Sequence, residues 1–187
     1  MKRLSDCITC GEKHSEVVMH FDGGVRQGVC AYGWCFTNPC DKNHLIAYGH
    51  RTCGKGTSNI SEYRALLAGL SACKRIGIKT VHIVGDSQLV VRQVTGVYQV
   101  RKEELRKLCH RIQKMLKEIP EYTIKWVPRN ENKQADALVN AVFERRNDNV
   151  PNTNANKNTQ IRGHNPDPTL GCHAGVRSQS RHSGGSK

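Results

Sequence analysis

Four carboxylates fall where an isolated negative charge is costly. Asp22 follows the apolar residues Val17, Val18, Met19 and Phe21 at the end of a strand. Glu62 shares a helical face with Leu66, Gly69 and Cys73. Asp86 comes just after the apolar run Thr80 to Val84, at the edge of a buried strand and the start of a helix. Asp136 shares a face with Val139 and Phe143. Each has an ordinary reading when taken alone. Asp22 suits a turn, Glu62 a helix surface, Asp86 an N-cap, and Asp136 an ion pair with a neighbouring Lys or Arg. Taken together, carboxylates at strand ends and on inward helix faces repel one another unless a divalent cation neutralises them. A ligand set made only of oxygens favours Mg²⁺ or Mn²⁺ over zinc.

The elements that must position these groups follow from periodicity. A strand is expected over Val17 to Asp22, closed by a turn at Gly23-Gly24, then strands over Val29 to Phe36 and His44 to His50, in an antiparallel meander. Ile60, Tyr63, Leu66, Leu67 and Leu70 repeat at the helical period. Thr80 to Val84 reads as a buried strand, followed by a helix from about Ser87. Leu105, Leu108, Ile112, Met115 and Leu116 make one face of a helix over Lys102 to Glu118, ended by Pro120. Tyr122 to Val127 alternates as a strand, and Lys133 to Arg145 is the last helix. The pattern predicts an α/β fold, a five-stranded mixed sheet with its first three strands antiparallel and helices packed on it.

The chain of 187 residues is 37% hydrophobic, with a mean hydropathy of −0.60, so part of it is expected to stay unpacked. Three regions are expected: an arm over 1–15, a folded domain over 16–146 and an Asn-rich disordered tail over 147–187. Lys and Arg outnumber Asp and Glu by 29 to 16, giving a net charge of +13. The tail holds five basic and two acidic residues, so the excess is +3 there and +10 in the body. Such a balance points to a polyanion, nucleic acid first. No apolar run reaches membrane-spanning length, and no apolar stretch follows the basic start. Nine cysteines, an odd number, suit reduced thiols and a cytoplasmic protein.

At the acidic positions the sequence resembles a known family. His20-Phe21-Asp22-Gly23-Gly24, the run Thr57 to Leu70 around Glu62, Gly85-Asp86-Ser87-Gln88-Leu89-Val90-Val91, and Val127-Pro128-Arg129-Asn130 through Ala135-Asp136-Ala137-Leu138 are similar to type 1 ribonuclease H, in its compact reverse-transcriptase-like branch. The likeness runs from about residue 16 to 145. It implies the ribonuclease H-like fold and an endoribonuclease that cuts the RNA strand of RNA–DNA hybrids, leaving 3′-hydroxyl and 5′-phosphate ends. It also implies that Asp22, Glu62, Asp86 and Asp136 bind two divalent ions, Mg²⁺ or Mn²⁺. In that chemistry one ion activates water and the other stabilises the leaving 3′-oxygen. Gly23, Ser58, Asn59 and Gln88 take the positions of nucleic-acid contacts, and the 2′-hydroxyl is what separates RNA from DNA.

The sequence departs from the family in two places. Many members carry a His before the last Asp; Trp126 to Ala135 has none, and Arg129 matches the branch that uses Arg near that place. A loop ion pair between Arg129 and Glu131 is the ordinary alternative. Relatives often carry two Asn before the Glu, where this chain has Ser58 and Asn59. Fainter signals lie elsewhere. Cys7 and Cys10 with His14 resemble half of a zinc site, and a loose arm with free thiols is the favoured reading. Cys30 and Cys35 fall on opposite strand faces and should not pair. Arg101, Lys102, Arg106, Lys107, Arg111, Lys114 and Lys117 make one helix basic, as a solvated face or a phosphate contact. A monomer acting on RNA–DNA hybrid is expected. A silent nucleic-acid-binding module of the same fold, and a related nuclease acting on DNA or double-stranded RNA, are the alternatives.

Overall fold

A computed structural model describes residues 15–148 except Lys42. The arm with Cys7, Cys10 and His14, and the tail beyond residue 148, lie outside the described residues. In chain order the elements are β1 (Glu16–Arg26), β2 (Val29–Thr37), β3 (Leu45–Lys55), α1 (Ser58–Ile76), β4 (Thr80–Gly85), α2 (Gln88–Val94), α3 (Glu103–Leu116), β5 (Glu121–Trp126) and α4 (Lys133–Asp148). The strands form one sheet in the order β3-β2-β1-β4-β5. β1, β2 and β3 are antiparallel neighbours, while β4 lies parallel to β1 and β5 parallel to β4. The last helix runs to Asp148, past the Arg145 expected for its end.

One face of the sheet carries the main core. Val17, Met19 and Phe21 alternate inward from β1 and meet Tyr63, Leu66 and Leu70 of α1, and Val81 and Ile83 of β4. Leu105, Cys109, Ile112 and Leu116 of α3 complete that core at the helical period read from the sequence. α1 starts at the N-cap Thr57, whose side chain accepts from the Ile60 N–H, and stops at Gly77 in the left-handed conformation. On the opposite face α4 packs Val139, Val142 and Phe143 against Ala31.

The first hairpin differs from expectation. β1 continues through Gly23 and Gly24, which pair with Tyr32 and Ala31. The chain reverses at Gln27 and Gly28 instead, both left-handed at φ 50 and 75. Two successive positive φ values give the turn whose twist matches a two-residue hairpin. Gly23 serves another purpose. A Cβ there would stand 2.3 Å from the Glu62 nitrogen and the Ser61 carbonyl carbon, so its hydrogen lets the first turn of α1 rest on β1. Backbone cannot yield as a flexible side chain would.

Gly23→Ala is therefore expected to cost about 3 kcal/mol, roughly 10 °C of melting temperature. Gly28→Ala, with open space around its Cβ and only the φ of +75 to oppose it, should cost about 1 kcal/mol. Thermal denaturation of both variants checks the order; equal losses would show that α1 does not depend on that contact.

Candidate active site

The parallel pairing of β1 and β4 brings the first two acids together. Phe21 is in register with Gly85, so Asp22 and Asp86 come next along two adjacent strands. The seating of the first turn of α1 on Gly23 brings in Glu62 from above. Asp22, Glu62 and Asp86 each offer a carboxylate oxygen within 4.8 Å of the other two. Asp22 is 5% exposed and Glu62 8%. Burial, then the Asp86 and Asp136 charges, push the Asp22 carboxyl up to about 6, against partial relief from the Gly23 N–H and Arg129. Burial, then Asp22 and Asp86, hold Glu62 well above the usual carboxylate range. Its Oε2 is buried without a hydrogen-bond partner. Crowded, dry oxygen donors with one atom left over fit a hard divalent cation.

Asp86 is not an N-cap. Ser87 holds the cap position of α2 and makes no side-chain cap bond. The Asp86 Oδ1 accepts instead from Asn132 Nδ2 at 2.8 Å. The same amide nitrogen donates to the Phe21 carbonyl at 2.8 Å, which spends both of its hydrogens. Asn132 is fully buried, and Trp126 Nε1 donates to the Asp86 carbonyl at 3.0 Å. Neither Asn132 nor Trp126 was a candidate in the sequence. Asn132 stands just before α4, and its carbonyl accepts the Asp136 N–H. A residue in that place reads as a helix cap, and nothing local reveals that its side chain reaches the sheet.

Asp136 stands apart from the other three. It lies in the first turn of α4, accepts from Asn140 Nδ2 at 2.8 Å and is bonded to Arg129. Arg129 therefore pairs with Asp136 and not with Glu131. The Asp136 charge still reaches Asp22 and raises it. Ser58 and Asn59 open α1 one turn before Glu62, Ser58 exposed and Asn59 half-buried. Gln88 opens α2 and is exposed. Gly23 is buried beneath α1. Cys30 and Cys35 are both buried free thiols. The basic residues of α3 are exposed, with Arg106 bonded to Glu103. Among the described residues no helix is long and apolar enough to cross a membrane.

In chelator the folded chain keeps the Asp22 proton up to about pH 6, whereas an unfolded Asp releases it near 3.8. The native state binds more protons inside that window, so this group's contribution falls as pH rises from about 4 to about 6 and is flat above. Glu62 acts with the same sign. The melting temperature of the parent minus that of Asp22→Asn should therefore decline across the window. Adding Mg²⁺ at pH 7.5 should raise the parent and not the variant. A flat difference would show that burial does not hold the proton on Asp22.

Residues 20–142 match the family model described as reverse transcriptase-like. The chain is 34% identical over 135 residues to ribonuclease HI of Halobacterium salinarum, covering 71% of this chain and 67% of that one. The crystal structure of RNase H1 from this archaeon superposes with a TM-score of 0.66 at 35% identity, over 70% of this chain and 98% of that one. An N-terminal RNase H domain from Mycobacterium tuberculosis gives 0.66 at 32% identity, over 71% and 96%. A bifunctional protein of Mycobacterium tuberculosis is 34% identical over 131 residues, 69% of this chain, which spans 36% of that protein's length. An RNase H1 from compost, solved in complex with an RNA/DNA hybrid, gives 0.64 at 28% identity over 70% and 98%. With its sheet order, its acidic cluster and these relatives, the chain belongs to the type 1 ribonuclease H family of enzymes, in the reverse-transcriptase-like branch.

Proposed function

We propose that this ribonuclease H hydrolyses the RNA strand of RNA–DNA hybrids with two divalent cations, Mg²⁺ or Mn²⁺, leaving 3′-hydroxyl and 5′-phosphate ends. The observation that carries the reading is the convergence of Asp22, Glu62 and Asp86 within 4.8 Å, two of them buried and raised. When bound, such ions supply an activated water and charge stabilisation for the leaving oxygen. The protein's own part is positioning. Gly23 sets how close Glu62 comes, and Asn132 holds Asp86 by its Oδ1. Asp136 adds negative field from the side, restrained by Arg129. Ser58 and Asn59 at the start of α1 and Gln88 at the start of α2 are suited by their chemistry to contacts with the hybrid's sugars and base edges. The hybrid seen with the compost relative supports that choice of substrate. A module that only bound phosphates would gain nothing from acids that repel them.

Incubation of the purified chain and Mg²⁺ or Mn²⁺ with labelled hybrid, duplex RNA and duplex DNA tests the substrate. Hybrid cleavage is expected, and cleavage of duplex DNA alone would reject the assignment. Asp86→Asn tests the site. Asn retains an oxygen that can accept from Asn132, so the metal-free chain should melt no lower than the parent. Cleavage should fall by several powers of ten, because a charged ligand is lost. Hybrid binding in chelator should persist, since the basic surface carries that attraction. A variant cutting hybrid at near the parent rate would sink the catalytic role of Asp86.

A further inference from the structure

A second concave site lies on the other side of α1, where β3, α1 and α3 converge. Its wall holds Arg51 and Thr52 from β3, Arg64 and Ser71 from α1, Arg111 from α3, and Tyr32 from β2. No carboxylate lines it, and none of the acids of the candidate active site is among its residues. Arg64 is braced there by donating to the Cys53 carbonyl, a bond that leaves most of its five N–H donors for something else. Arg51 and Arg111 are exposed and, among the described residues, neither forms an ion pair. At the start of α3, two turns from Arg111, Glu103 is bonded to Arg106, while the Glu104 charge reaches Cys30 beside Cys53 and Arg64 without lining the pocket.

Three arginines supplied by three separate elements line one pocket, which sequence proximity does not bring about. Their mutual repulsion is relieved by water and salt at an open surface, and more fully by one bound anion. The donor geometry selects among anions. A planar carboxylate satisfies one fork, whereas a tetrahedral phosphate can accept from several guanidinium groups and from hydroxyls at once. Thr52 stands in the same wall to provide such a hydroxyl, whereas the Ser71 hydroxyl donates to the Leu67 carbonyl at 2.8 Å. We infer that this pocket binds a phosphate group, separately from the carboxylate cluster. The phosphate belongs either to a nucleic-acid backbone or to a free phosphate ligand.

The test uses the full chain in chelator, so that it does not depend on cleavage or on the metal site. The probes are inorganic pyrophosphate by calorimetry and a fluorescent RNA–DNA hybrid by anisotropy over a salt series. The double variant Arg51→Gln/Arg111→Gln removes the two exposed arginines and leaves the Arg64 brace. Lys114→Gln/Lys117→Gln removes the same charge from α3 outside the pocket. If the source is a backbone, the arginine variant should bind hybrid about tenfold more weakly, with a salt slope shallower by roughly one, and the lysine variant should change less. If the source is a free phosphate, pyrophosphate should bind the parent at one per chain and the arginine variant about tenfold more weakly, with hybrid affinity matching the lysine control. Equal effects of the two double variants on hybrid binding, with no saturable pyrophosphate binding, would overturn the site. A single Arg111→Gln variant gives the same readouts should the double variant fold poorly.

Discussion

The rest of the structure depends on a repulsion. Asp22, Glu62 and Asp86 are held within 4.8 Å of one another in a largely dry setting, where like charges act with little screening. Left to itself, such a group would open or take up protons. Burial and mutual charge push the Asp22 and Glu62 carboxyls toward that second response. What prevents the first response is the scaffold. The register of β1 on β4 sets the spacing of Asp22 and Asp86, and a helix resting on Gly23 sets that of Glu62. The acids sit on rigid elements, so their geometry exists before any ion arrives, and little ordering remains to be done on binding.

Asn132 connects that scaffold to the last helix. Its amide binds the Phe21 carbonyl and the Asp86 carboxylate at once, joining β1, the end of β4 and the start of α4. A buried amide with its donors satisfied is a stiff joint, because losing either bond leaves a buried acceptor without a partner. Asp136 follows four residues later, so its distance from the acidic cluster is set by the same joint. It is bonded to Arg129 and to the amide of Asn140, while its charge still acts on Asp22. Three acids make the converged site and the fourth flanks it.

Much of this was legible in the sequence where short-range patterns decide. The period of Ile60, Tyr63, Leu66 and Leu70 marks α1 and its buried face, and the apolar run before Gly85 marks β4 and places Asp86 at its end. The acids stood out because carboxylates beside apolar runs are costly. The Gly23-Gly24 pair was misread as a turn, because glycine permits both a reversal and a close approach. Only the three-dimensional position of α1 decides between them. The actual reversal at Gln27-Gly28 carries the weaker local signal. Asn132 was invisible for a related reason: its partners are 46 and 111 residues away, beyond the reach of any local pattern.

The charge distribution gives the acidic cluster a further meaning. A chain with a net charge of +13 draws phosphates toward its surface, yet three acids at the centre of the candidate site oppose their final approach. Divalent cations resolve both difficulties in one step, since they neutralise the acids and present positive charge to the strand. Protonation resolves only the first, because a neutral carboxyl no longer repels phosphate but offers it no attraction. On the proposed reading, approach of a phosphate to the acids depends on such ions, while longer-range attraction stays with basic residues outside the cluster.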